Sequence, residues 1–470
     1  MIVLEKTIET VRPVKQVFRY VSDFANIEQW DPGVASSRRT SPGGVKENAT
    51  FELVLSYGFG KIPMTYHLTT FVPNELVVLT GAGKSFTATD TIRFAPAGQG
   101  TRIDYRAVID LDQSGPVKEK IINLLFSRLG QKAVDGLSAA LNRSYPVPRQ
   151  RPPDDLLDRT VVGGMFGFTR QGYALRRRKW HPMVESLEGR TVAVTGATSG
   201  IGRAAAARIA DLGAHLILVG RSAEKLEQTR AMLIETSGNR RIDTCRGDLS
   251  LMADNERVAR YLADNFSELH VLVNNAGALF NERLTTDEGL EQTLATDLAG
   301  PFLLTNRLIP RLRASAPARI INVSSGGMYT QKIRPGDLGY ENEPFDGPKA
   351  YARAKRGMII LTEIWADRLK AHDVAVNAMH PGWVNTPGIT RALPGFYTRT
   401  RRLLRTPDQG ADTIVWLAAA AEAGRASGLF WLDRRPHTTH VFSRTRETLE
   451  ERRQLWEELC RLTGYQDHDQ

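Results

Sequence analysis

Residues 190–202 read RTVAVTGATSGIG. The run VAVTG (192–196) is apolar enough for a buried strand, and GIGRAAAARIADLG (200–213) opens a helix directly behind it. A strand, a glycine-rich turn and a helix in that order separate a nucleotide loop from a chance cluster of glycines. Gly196 permits the tight turn, Gly200 lets the backbone approach a pyrophosphate, and Gly202 lets helix and strand pack closely. The helix start then offers unpaired N–H groups and a positive dipole end to the phosphates. The stretch reads as a dinucleotide cradle.

Outward from it, strand-like runs alternate with helical segments: HLILVG (215–220), IDTCRGDL (242–249), HVLVNNAG (270–277), ARIINVSS (318–325), VAVNAMHPG (374–382) and SGLFWLD (427–433). Such alternation predicts a parallel sheet with helices on both faces. The second strand ends at Gly220, Arg221 and Ser222, where an NAD enzyme would place an acid for the ribose 2′-hydroxyl. A guanidinium suits a 2′-phosphate instead, so NADP(H) is favoured and NAD(H) stays open.

The spacing TGxxxGIG, followed in order by Asp248, NNAG (274–277), VSS (323–325), YARAK (351–355) and HPGWVNT (380–386), resembles the short-chain dehydrogenases/reductases. Further segments, from VSSGGMYTQKI to FWLDRRPHTTH, narrow the likeness within that family and carry it from about residue 159 to the C-terminus. The resemblance implies a doubly wound α/β Rossmann domain. It places the coenzyme against Gly196, Thr198, Ser199, Gly200, Ile201 and Gly202, with Arg221, Asp248, Leu249, Asn275, Ala276 and Gly277 beyond the loop. Pro381, Gly382, Val384 and Thr386 would hold the nicotinamide end, together with Tyr351 and Lys355. Ser325, Tyr351, Lys355 and Asp297 form the implied catalytic set, and no metal site is expected.

Tyr351 and Lys355 are four residues apart on a predicted helix and share one face. A free phenol, with a pKa of about 10, is a poor proton exchanger at neutral pH. A neighbouring ammonium should lower that value. Ser325, at the end of its strand, would position the substrate oxygen. In LATDLAGPFLLT (294–305) the family's Asn is replaced by Asp297. Either the carboxylate is tolerated, because the family's water contact there runs through the main chain, or it impairs the proton relay; tolerance is favoured.

Before this domain the chain differs. A length of 470 residues exceeds one ordinary core, and 41% hydrophobic with 24% charged residues suits a globular protein. Two cysteines, Cys245 and Cys460, exclude a disulfide framework and suit a reducing compartment. The opening residues show no secretory leader and no apolar run spans a bilayer, so a cytoplasmic location is expected. Residues 1–145 carry alternating runs such as TFELVLSY (50–57), MTYHLTTFV (64–72) and TRIDYRAVID (101–110), then a helical pattern through Ile121, Leu124, Leu125, Leu129, Ala133, Leu137 and Leu141. A meandering sheet closed by a long final helix resembles the polyketide cyclase/START-like (SRPBCC, helix-grip) family, which implies an α+β fold with a lipophilic cavity. His67, Tyr66, Asp104 and Tyr105 are candidate lining residues, although isolated polar residues in a sheet usually face solvent.

Residues 146–188 read as a proline-rich linker followed by a basic and apolar arm, and 189–470 as the Rossmann domain. The net charge of +10 is concentrated in 159–184, which holds no acid, and in TRTRRLLRT (398–406). With no zinc-finger, helix-turn-helix or RNA-binding signature, nucleic acid is not an expected partner. Two readings of 159–182 stay open: a contact with a membrane surface, and an arm packed across the second domain, the latter weighted higher. Leu393, Phe396, Tyr397, Leu403 and Leu404 are a candidate apolar lid, and 396–406 a second candidate membrane contact. The expected substrate is a small lipophilic carbonyl or alcohol; a homo-oligomer stays open.

Overall fold

The computed structural model describes residues 2–57, 60–83, 86–111, 130–147 and 166–467. The chain forms two compact units: Met1–Tyr145 with His181–Ser186 and Glu235–Gly238, and Pro146–Trp180 with Leu187–Ile234 and Asn239–Gln470.

The first unit is one antiparallel sheet of seven strands. They are β1 (Ile2–Thr10), β2 (Val34–Arg39), β3 (Thr50–Tyr57), β4 (Gly60–Val72), β5 (Leu76–Ala82), β6 (Phe86–Ala97) and β7 (Gly100–Leu111), in the order β1-β7-β6-β5-β4-β3-β2. Strict alternation puts Phe51, Leu53, Met64, Leu68, Leu79, Ile92 and Ile103 on one buried face. Helix α1 (Val14–Ser22) and the helix α2, described over 130–142, cover that face with Val17, Phe18, Val134 and Leu137. This is the helix-grip arrangement. The expected helical residues Ile121, Leu124, Leu125 and Leu129, and most of the proline-rich linker, lie outside the described residues.

The second unit opens with helix α3 (Arg170–Arg177) and then winds β8 (Thr191–Thr195), α4 (Gly200–Asp211), β9 (His215–Gly220), α5 (Ala223–Ser237), β10 (Ile242–Arg246), α6 (Met252–Asn265) and β11 (Val271–Asn274). There follow α7 (Gln292–Leu294), a π-helical turn at Ala295–Ala299, α8 (Gly300–Ala314), β12 (Ala318–Val323), α9 (Gly347–Leu369) and β13 (Val374–Met379). Next come α10 (Pro387–Ala392), α11 (Pro394–Thr400), α12 (Pro407–Ala419), β14 (Phe430–Leu432), β15 (Arg435–His437) and α13 (Leu449–Thr463). The order β10-β9-β8-β11-β12-β13-β14 is parallel throughout, and β15 adds an antiparallel edge that the sequence pattern did not announce. All five residues of β8 and all six of β13 are buried, as a sheet covered on both faces requires. The strand order reverses between β9-β8 and β8-β11, which opens a crevice at the carboxyl end of β8. Among the described residues no helix is long and apolar enough to cross a membrane.

Candidate active site

The glycine turn lies at that crevice. Gly196 takes φ +64°, a left-handed conformation that glycine adopts at little cost. A Cβ at Gly202 would overlap the Gly196 carbonyl, so α4 starts hard against the turn. Ser199 precedes α4 with no side-chain cap bond, leaving its hydroxyl and the first amides, including that of Ile201, available to a ligand. A Cβ at Gly200 would lie 3.2 Å from the Thr386 methyl, which brings the loop after β13 beside the turn. Thr198, Asp248 and Thr386 are half-buried, Leu249 and Val384 buried, and Arg221 exposed directly after β9. Asp248 is locally engaged, accepting from the Ser250 amide (3.1 Å) and hydroxyl (2.8 Å). This cradle fits a dinucleotide.

The NNAG turn is fastened to β8. The Thr195 hydroxyl accepts from the Asn275 and Ala276 amides (2.9 and 3.0 Å), and Asn275 Nδ2 donates to the Thr195 carbonyl (2.8 Å). Asn274 Nδ2 donates to Asn322 Oδ1 (2.8 Å), whose own amide donates to the Thr362 hydroxyl of α9 (2.8 Å). Buried amides thus fix α9 against the sheet, because leaving any one unpaired would cost about 1–3 kcal/mol.

Helix α9 begins at Asp346, which accepts from the Lys349 amide (3.0 Å), and carries Tyr351 and Lys355 one turn apart. The Lys355 ammonium lies 5.5 Å from the Tyr351 ring centroid, donates to the Val323 carbonyl (3.2 Å) and pairs with Asp297 Oδ1 at 2.8 Å. Asp297 sits in the π-helical turn with no exposure; its other oxygen accepts from the Ala278 amide (3.2 Å). A side chain at Gly277 would overlap Asp297 Oδ1, so glycine is what admits the ion pair. Ser325 hydrogen-bonds the Tyr351 phenol, and its Oγ accepts from the Gly327 amide (3.2 Å). The four residues expected to act together are therefore one cluster.

The electrostatics correct one expectation. Burial raises the Tyr351 phenol above its ordinary value; Lys355 and the Ser325 bond lower it, but Asp297 raises it again, and the net shift is upward. For Lys355, burial opposes the charge, yet Asp297 and Tyr351 outweigh it and hold the ammonium above its usual range. Asp297 thus spends much of the lysine's field on itself. It also reaches Lys355 directly, where the family pattern implied a water contact.

Arg405 is the largest departure on the coenzyme side. Its position in TRTRRLLRT suggested surface charge, but it is fully buried. It pairs with Asp433 through both nitrogens (2.6 and 2.8 Å) and donates to the carbonyls of Gly167 (2.7 Å), Phe168 (3.1 Å) and Pro381 (3.2 Å). Such a buried pair demands these extra bonds. It ties residues 166–169 to Pro381 and Gly382, and Phe168 stacks edge-on against His380, 4.5 Å between centroids. The described part of the arm therefore packs within the second unit. Of the candidate lid, Leu404 is buried, Leu403 exposed, and Leu393, Phe396 and Tyr397 half-buried; Phe396 meets Trp383 at 5.1 Å.

In the first unit, His67 is exposed and Asp104 faces solvent, accepting from Thr7 and pairing with Arg102. Tyr66 and Tyr105 point inward, and Tyr105 donates to buried Asp90 (2.6 Å). Burial lifts the Asp90 carboxyl to about 6, against phenol bonds from Tyr105 and Tyr66 that lower it. Asp31 is also raised by burial to about 6 despite accepting from the Gly33 amide (2.7 Å). Asp90 was not among the candidate lining residues, although it falls on the inward parity of FTATDTIRF (86–94).

Residues 190–393 match the short chain dehydrogenase family, and residues 1–142 match the polyketide cyclase/dehydrase and lipid transport family. The chain is 41% identical over 284 residues to human dehydrogenase/reductase SDR family member 12, covering 59% of this chain and 88% of that protein. It is 33% identical over 291 residues to mouse retinol dehydrogenase 13, covering 60% and 87% respectively. Among solved structures, a 3-ketoacyl-(acyl-carrier-protein) reductase from Brucella melitensis complexed with NADH aligns with a TM-score of 0.43 at 24% identity, over 52% of this chain and 96% of that one.

Proposed function

The chain belongs to the short-chain dehydrogenase/reductase family, and from that premise we propose that it interconverts a carbonyl and an alcohol on a small lipophilic substrate with NADP(H). The observation that carries this reading is the Ser325–Tyr351–Lys355 cluster held beside the glycine turn. The coenzyme, when bound, supplies or accepts the hydride. Gly196 to Gly202 would hold its pyrophosphate, and Pro381 to Thr386 its nicotinamide end. Ser325 hydrogen-bonds the substrate oxygen and orients it. Tyr351 gives that oxygen its proton in reduction and takes it back in oxidation. Lys355 stabilises the phenolate that remains. Arg221, with no carboxylate at the end of β9, supports NADP(H) over NAD(H). Half-buried Phe396 and Trp383 support a lipophilic substrate, and the first unit reads as the domain that holds or delivers it.

The test is oxidation of NADPH, and separately NADH, over a panel of hydrophobic aldehydes and ketones. Turnover with a preference for NADPH is expected; no turnover with any member, or a preference for NADH, counts against the reading. A second reading, a slow lipid-binding protein that senses NADP(H), draws on one observation, the Asp297–Lys355 ion pair. Tight NADPH binding with negligible turnover in the same assay would favour it.

A further inference from the structure

We propose that the face formed by α3 and residues 399–403 docks on an anionic lipid bilayer. Phe166, Leu175 and Leu403 are large apolar side chains left 55%, 57% and 39% exposed, although α3 buries Gly172 and Tyr173 on its other side. The Arg170 amide donates to the Leu403 carbonyl (2.8 Å), which joins the two segments into one strip. Around it stand exposed Arg170, Arg178, Lys179, Arg399, Arg401 and Arg402.

Among the described residues none of these six forms an ion pair. Surface arginines that have acids close by in the chain do pair: Arg453 with Glu450 and Glu457, Arg461 with Glu458, and Arg257 with Asp254. The reason is local. No acid occurs in 159–184 or in 374–407, and Asp433 and Asp412, nearby in the fold, are taken by Arg405 and by Arg434. A surface that leaves its positive charge unneutralised beside exposed apolar side chains fits a partner that is negative and soft.

Charge decides how it would bind. Each basic residue near an anionic leaflet adds to the attraction, and the six outnumber the three partly exposed apolar side chains. Attachment then requires anionic lipid and fails in high salt. Duplex nucleic acid would share the charge preference but would not use Phe166 and Leu175. The docking is independent of turnover, so it stands or falls apart from the catalytic reading.

The experiment is co-sedimentation of the full chain with phosphatidylcholine vesicles, with and without phosphatidylserine. The parent should sediment only with phosphatidylserine present, and be released by salt. Arg401→Ser with Arg402→Ser, and separately Phe166→Ser with Leu175→Ser, should each weaken retention by about tenfold or more at an unchanged melting temperature. Equal behaviour on both vesicle types, retention unaltered by both double substitutions, or binding to duplex DNA without binding to vesicles would overturn it.

Discussion

Each unit buries an aspartate in its interior, and the company the two keep differs. Asp90 in the antiparallel sheet is met by phenols, Tyr105 at 2.6 Å and Tyr66, and its carboxyl rises to about 6. Asp297 in the π-helical turn is met by the Lys355 ammonium at 2.8 Å; burial raises its carboxyl too, against the lysine's charge and hydrogen bond, which lower it. Neutral donors leave a buried carboxyl to hold its proton; an ammonium keeps it as half of an ion pair. The first arrangement is a store of proton affinity in a core. The second sets the field in which a neighbouring phenol works.

The largest effect should come from breaking the ion pair. Lys355→Met leaves Asp297 buried without its counter-charge, a loss of about 3–5 kcal/mol in stability. It should also cut turnover about 10²- to 10⁴-fold, the span of a general acid–base contribution. Adding Asp297→Asn should recover much of the melting temperature and none of the turnover. If the single Lys355 variant melts with the parent, the pair is not what the geometry says it is.

A smaller change is expected from Asp297→Asn alone. Turnover should move by less than about tenfold, or about 1.4 kcal/mol. A hundredfold gain would show instead that the aspartate had damaged the proton relay. Because Asp297 raises both Tyr351 and Lys355, its removal should carry the loss of reductase activity at high pH to a lower pH. A profile that stays put would separate Asp297 from the phenol.

The effect in the first unit is on stability alone. Asp90 and Asp31 have carboxyls raised from 3.8 to about 6, so the folded state binds more protons than the unfolded state between those values. Stability from these groups is present in full at and below pH 3.8 and is lost as pH rises to about 6. Amide exchange in β6 and β7 should quicken across that window, and Asp90→Asn should flatten the dependence. An unchanged slope would mean that Asp90 does not titrate there.

Sequence and structure agree best where the information is local. The period-two runs placed the strands of the antiparallel sheet, the apolar runs those of the parallel one, and the four-residue spacing of Tyr351 and Lys355 put them on one helical face. What pairs across the fold was less legible. Asp297 stood out only as a departure from a pattern; that it reaches Lys355 depends on the π-helical turn and on the space left by Gly277. Arg405 is one arginine among four in TRTRRLLRT, and nothing local marks it as the one that meets Asp433. The three-residue strands β14 and β15 are too short to carry an alternation. Asp90 was readable from strand parity alone, since its second neighbours in β6, Ala88 and Ile92, are inward apolar residues.

The account turns on the Tyr351 hydroxyl, and one substitution reads it. With the best substrate of the carbonyl panel, kcat for Tyr351→Phe should fall about a thousandfold while NADPH binding is retained. A Tyr351→Phe protein that turns over like the parent would contradict the account.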